Sequence, residues 1–323
     1  MLSPTAERTA PVADRAGAAT RPARRRGTSE GPADRAYRRF MFPAALVYTA
    51  GFVLPSVYGV VLSFMKWSGP GTEQKWVGWH NYVRVFRDDT VRQAFGNTLV
   101  IVVVGGAGVF ALAFCAMAVL REMRGRAFVR AAVYLPSIIS MIAIGTSLGF
   151  LLNPDGVVNR LLRFVGLHTL ERSWLEPQHI FGCIVLGVIW MTSGTYIVLL
   201  MTSVDGIPQH LYEEAKLTGL TRLQQFRHIT FPLSRDMISI AAVLWTVNSL
   251  RTFDIVIGFT GTAGTPTPEA RTYAVQQWMT TNSQVGIPEL GYGSAMATLL
   301  TVLTIVLLVL VRRMSRSERL EIS

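Results

Sequence analysis

The chain has 323 residues, of which 50% are hydrophobic and only 16% charged. Soluble domains carry about 25% charged residues, and several apolar runs here exceed the roughly 18–20 residues needed to cross a bilayer as helix. The composition therefore excludes an ordinary soluble domain and places the chain in a membrane. The net charge is +11, but the arginines are scattered among loops, which argues against a nucleic-acid face and for the positive-inside effect.

Residues 1–39 are rich in Ala, Arg, Pro and Gly, with the densest basic cluster at Arg21, Arg24, Arg25 and Arg26. They read as a disordered basic tail that fixes topology. Residues 40–65 form the first expected span, kinked at Pro55. Lys66-Trp67 marks an interface, and a polar loop runs to residue 96. The second span, 98–120, carries no charge, and Arg121, Arg124, Arg126 and Arg130 crowd the loop after it. The third span, 131–152, ends at the turn Asn153-Pro154-Asp155-Gly156. The fourth is 180–204, the fifth 237–259 and the sixth 294–311, followed by a basic tail at 313–323. The expected class is all-α, with about six transmembrane helices. Cys115 and Cys183 lie in apolar runs and read as free buried thiols. The N-tail, the loop 121–130, the loop 205–236 and the C-tail hold most of the basic residues, which puts them and both termini in the cytoplasm.

The loop 205–236 has an internal design. Pro208 suits the first turn of a helix. Leu211, Ala215 and Thr218 share a helical face, and Glu213 and Glu214 lie early in it, where the dipole favours acids. Gly219 ends the helix as a C′ glycine does. A second short helix is expected over 221–228, with Leu223 and Phe226 on its apolar side, and Pro232 precedes the next span.

Charged and aromatic residues inside the spans are the candidates for a solute path. Arg251 and Asp254, spaced i, i+3, could pair on one face of the fifth span, with Asn248 on the same face. An interfacial ion pair that snorkels outward is the other reading. Trp190, Tyr196 and Trp245 could supply stacking faces for a sugar, or could simply pack.

What is missing also bears on function. The lysines are Lys66, Lys75 and Lys216, and none has the Gly-Lys-Ser/Thr context of a phosphate-binding loop. Any ATP must therefore be hydrolysed by another subunit. His80, His168, His179, His210 and His228 make no close ligand pair, so no metal site is expected. No nucleophile elbow is present, and no catalytic residue is expected. An ion-coupled secondary transporter is the alternative reading, but it would want intramembrane acids or an inverted repeat. A membrane-anchored sensor would want a sizeable soluble domain.

The Glu213-x-Ala215 element, Gly219 four residues on, and Ile229-x-x-Pro232-Leu233 resemble the cytoplasmic "EAA" loop of ABC-importer permeases. The resemblance extends through Phe52-Val53-Leu54-Pro55, Val77-Gly78-Trp79-His80-Asn81-Tyr82, Arg130 to Pro136, Phe150 to Gly156, Phe253-Asp254 and Tyr292-Gly293-Ser294-Ala295. These segments are similar to the carbohydrate permeases of the maltose type, and more to the first of the paired permeases than the second. Glu214, Thr218 and Leu223 depart from the usual pattern. The resemblance implies a type I ABC importer transmembrane fold in a bacterial plasma membrane, with the transmembrane domain over 97–312 after a first helix and extracytoplasmic loop at 40–96. It implies that Glu213, Glu214, Ala215, Gly219 and Pro232 couple this chain to an ATPase. The implied partners are a second, distinct permease, a cytoplasmic ATPase dimer using ATP-Mg, an extracytoplasmic solute-binding protein and membrane lipid, with no cofactor on this chain.

Overall fold

In the computed structural model, residues 32–261 and 265–316 are described. Two compact units divide at Pro55 and Ser56. In the first, the described residues are helical from Pro32 on, within the stretch expected to be a disordered tail. The arginine cluster at 21–26 and Arg319 lie outside the described residues. The apolar part of this helix, α1 (Phe40–Leu62), contains a π-helical turn at Thr49–Val53 just before Pro55. Proline denies a donor to the preceding turn and crowds its carbonyl, so the ladder shifts locally.

The second unit continues with a two-residue antiparallel hairpin, β1 (Met65–Lys66) and β2 (Lys75–Trp76), pairing Met65 with Trp76. Helix α2 (His80–Arg87) locks it, since buried Asn81 donates to the Ser63 and Met65 carbonyls at 2.9 Å each. Then follow α3 (Asp89–Val119), α4 (Arg126–Ile138), α5 (Met141–Leu151), α6 (Val157–Phe164) and α7 (Ile180–Asp205). Two short helices, α8 (Gln209–Leu217) and α9 (Arg222–Gln225), lead through a π turn (Phe226–Thr230) to α10 (Arg235–Leu250), α11 (Asp254–Gly261), α12 (Tyr273–Thr281) and α13 (Leu290–Arg316).

Helices α1, α3, α7 and α13 are each long and apolar enough to cross a bilayer, and counting two bent pairs as spans gives six among the described residues. Those pairs correct the sequence reading. The expected third span is α4 and α5, which meet at 92°. Pro136 near the end of α4 cannot continue the ladder, and Ile139 and Ser140 turn extended. Its basic residues Arg126 and Arg130 belong to the helix, which starts after Gly125 at φ +84°. The expected fifth span is α10 and α11, bent by 43° around Arg251–Phe253.

Helix α7 is the axis of the second unit, with α3 and α4 packed along it. Small residues permit these approaches. A Cβ on Gly194 of α7 would strike the backbone of Val133 and Tyr134 in α4. Ser137 of α4 donates to the Met191 carbonyl of α7 at 2.6 Å. Both cysteines are free, and Cys115 is exposed rather than buried, on the outward side of α3.

Candidate functional site

The break between α10 and α11 opens a cavity of about 400 Å³. Its walls are Val188, Met191, Thr192, Thr195 and Tyr196 of α7, Trp245, Asn248 and Ser249 of α10, the non-helical Arg251–Phe253, Asp254 and Ile255 of α11, and Met141 of α5. Irregular backbone at membrane depth is tolerated where it lines a cavity, because water or solute can satisfy the freed peptide groups. Small-molecule sites span about 300–1,000 Å³, so the space suits a solute of modest size.

Five of the six residues expected along the solute path meet here: Tyr196, Trp245, Asn248, Arg251 and Asp254. The sixth, Trp190, does not, and is 52% exposed. At about 100° per residue, position 190 falls roughly opposite the face that carries 188, 192 and 195. The expected Arg251–Asp254 pair on one helix face is also corrected. Arg251 caps α10, Asp254 starts α11, and no ion pair joins them. Both side chains are exposed and line the cavity separately.

The two ring residues serve mainly as walls. Trp245 is 5% exposed, and its Nε1–H donates to the Val102 carbonyl at 2.8 Å, inside the π turn Ile101–Gly105 of α3. A Cβ on Gly106 would come within 2.6 Å of that indole nitrogen, so glycine makes the seat. Tyr196 packs edge-on against Trp245 with centroids 5.7 Å apart. Sequence reasoning missed the hydroxyl residues Thr192, Thr195, Ser249 and Thr252. Their spacing of three, 192 to 195 and 249 to 252, was a usable signal. Thr192 and Ser249 spend their protons on the carbonyls of Val188 and Trp245, which leaves oxygen lone pairs as acceptors. The lining thus offers a guanidinium donor, a carboxylate acceptor, a bifunctional amide, hydroxyl oxygens and apolar faces. Such a mixture can match a solute carrying many hydroxyls.

At the start of α10 the chain forms a hook. Helix α8 follows Pro208, which is the N-cap (φ −57°, ψ 135°) rather than the first helical residue. Its inward residues are Tyr212 and Ala215, with Leu211 half-buried and Thr218 exposed. The expected face was therefore rotated by about one residue. The Tyr212 hydroxyl bonds Thr230 Oγ1 at 2.9 Å, and the Arg121 guanidinium covers its ring. Gly219 has φ +76° and completes a Schellman cap: Leu220 N–H donates to the Ala215 carbonyl (2.9 Å) and Gly219 N–H to that of Lys216 (3.0 Å). Thr221 and Gln224 form a capping box on α9. Leu223, expected on the apolar inner side, points outward at 73% exposure, and the inner positions are taken by Gln225 and Phe226. Pro232 follows the π turn, as Pro55 follows the one in α1.

The hook therefore presents Glu213, Glu214, Leu217 and Leu223 outward, whereas Ala215 is small because it packs against its own chain. The base is pinned where α7 ends. Arg130 of α4 holds Asp205 with two bonds, 2.7 and 3.1 Å, and Arg126 lies 3.3 Å away. Paired donors on one carboxylate fix geometry as well as charge.

Known proteins agree with this architecture. The chain is 31% identical over 81% of its length to the probable ABC transporter permease protein YurN of Bacillus subtilis, covering 89% of that protein. It is 27% identical over 70% of its length to the lactose transport system permease protein LacF of Rhizobium radiobacter, covering 76% of it. A solved bacterial ABC transporter involved in import of the acidic polysaccharide alginate shares the fold, with a TM-score of 0.77 at 22% identity over 89% of this chain and 97% of that one. Residues 108–319 match the profile of one family, and the chain belongs to it: the binding-protein-dependent transport system inner membrane components.

Proposed function

We propose that this permease subunit carries a carbohydrate-like solute through the cavity at the α10–α11 break, driven by a separate ATPase dimer that seats on the hook. The observation that carries the reading is that one helix joins the two sites. Helix α10 begins beside the hook at Arg235, and its last turn lines the cavity through Asn248 and Ser249. At 1.5 Å per residue it spans about 24 Å, so movement of the hook is delivered to the cavity wall. The relatives support a sugar-like solute, and the mixed polar lining is suited to one. Membership of a binding-protein-dependent family favours this over an ion-coupled transporter.

The hook, the Arg126–Arg130 end of α4 and both termini lie on the cytoplasmic side of a bacterial plasma membrane in this reading, which the basic residues support. Glu213 and Glu214 meet basic or amide groups of the ATPase, and Leu217 and Leu223 enter its groove. A solute-binding protein delivers the solute to the other side, a distinct second permease completes the path, and lipid surrounds the pair. ATP-Mg stays with the ATPase, and this chain holds no cofactor of its own.

The test is uptake into proteoliposomes containing the purified complex, with solutes chosen by a ligand screen on the binding protein. Uptake is expected only with ATP and the loaded binding protein, and for a sugar or sugar derivative. Uptake driven by an ion gradient without ATP would overturn the reading.

A further inference from the structure

Between the cavity and the hook runs an unbroken column of aromatic rings. Trp245 on α10 touches Tyr196 on α7 (centroids 5.7 Å apart), and Tyr196 touches Phe110 on α3 (5.8 Å). Phe110 touches Phe114 one turn further along α3 (5.9 Å). Phe114 then meets Phe226 at 6.1 Å and Phe231 at 5.8 Å, and those two rings meet each other at 6.1 Å. Every step lies in the 4.5–7 Å range of favourable tilted or edge-on aromatic contact.

The two ends of the column are distinctive. At the cavity, Trp245 and Tyr196 are walls, and Trp245 is bonded into the π turn of α3. At the hook, Phe226 opens another π turn and Phe231 follows it directly. Both clasp Phe114. Interiors are close-packed and respond to strain by switching arrangements rather than by yielding smoothly. A push on the hook therefore either carries Phe114 along or breaks its contact with both hook rings.

Building on the permease reading above, we infer that Phe114 and Phe110 are positioning residues that couple the hook to the cavity, by passing displacement of the Phe226–Phe231 pair to Tyr196 and Trp245. The column is a route for the transport stroke in parallel with the backbone of α10. Neither Phe110 nor Phe114 lines the cavity or faces the ATPase surface of the hook, so neither touches solute or nucleotide in this account.

The test uses the complete complex in proteoliposomes and reads solute moved per ATP hydrolysed, together with stimulation of hydrolysis by loaded binding protein. Phe114→Leu keeps an apolar side chain but removes the ring. It is expected to lower solute moved per ATP by about fivefold, within the range for residues that carry coupling. Phe114→Tyr is expected to restore it to within about twofold of the parent. Phe110→Leu is expected to behave like Phe114→Leu, and the double variant to be no worse than either single one, because one broken link already opens the column. Wild-type yield per ATP in Phe114→Leu, equal loss in Phe114→Tyr, or losses that multiply in the double variant would each overturn the inference. If Phe114→Leu fails to assemble, Phe110→Leu alone decides, by losing or keeping the yield. Absence of stimulated hydrolysis in the parent complex would bring down the permease reading itself and the inference with it.

Discussion

Gly145 of α5 and Gly258 of α11 face each other so closely that a Cβ built on either would lie 2.9–3.0 Å from the other's Cα. The same Cβ atoms would meet the carbonyl oxygens of Ile255 and Ile142 at 2.6 Å. Two helices that both follow a break are thus pressed backbone to backbone, and their first residues, Met141 and Asp254, line the cavity. Small residues allow this approach in membranes, where dispersion contacts replace the hydrophobic drive. Gly258→Val is expected to destabilise the permease by about 1–3 kcal/mol through overpacking. Thermal unfolding in detergent measures it, and an unchanged midpoint would contradict the packing.

At Gly219 the cost is conformational, because open space surrounds it and the φ of +76° is the constraint. Gly219→Val is expected to lose about 1–2 kcal/mol locally and to misdirect α9. Gly219→Asn, which tolerates the left-handed region, should keep far more ATP-driven uptake. Equal uptake by both variants would show that the backbone turn does not matter.

Arg251 and Asp254 line the cavity separately. Removing either charge, as in Arg251→Gln or Asp254→Asn, is expected to raise the half-saturating solute concentration by about tenfold, the scale of a lost charge-assisted hydrogen bond. Because no ion pair links them, the swap Arg251→Asp with Asp254→Arg should not restore uptake. Recovery by the swapped protein would point back to a mutual pair.

Trp190→Leu is the contrasting case. It lies off the cavity on an exposed face, so uptake should stay within about twofold of the parent, as for surface substitutions generally. A large loss would place Trp190 in the path.

These outcomes separate what the sequence carried from what it could not. The hook was legible because its signals are local: Gly219 needs a left-handed turn, and Pro232 interrupts a ladder. Its inner face was harder, since choosing Leu211 over Tyr212 is a rotation of only about 100°. The count of spans came from apolar length, but the 92° break at Ile139–Ser140 leaves mean hydropathy unchanged and shows only in Pro136. Asn248, Arg251 and Asp254 were visible because charge and amide groups are costly at membrane depth. Their separation into two helices depends on tertiary packing of α11 on α5. The aromatic column joins residues 110, 196, 226 and 245, which no periodicity connects.

In the proposed function the hook is where a second protein's work enters this chain. The most direct test of that role is ATP-driven solute uptake by the reconstituted complex carrying Glu213→Lys, with Gly219→Val beside it. Both chains are expected to insert and to be recovered in the membrane at parental levels, yet to show no ATP-driven uptake. Uptake at the parental rate in both would contradict the account.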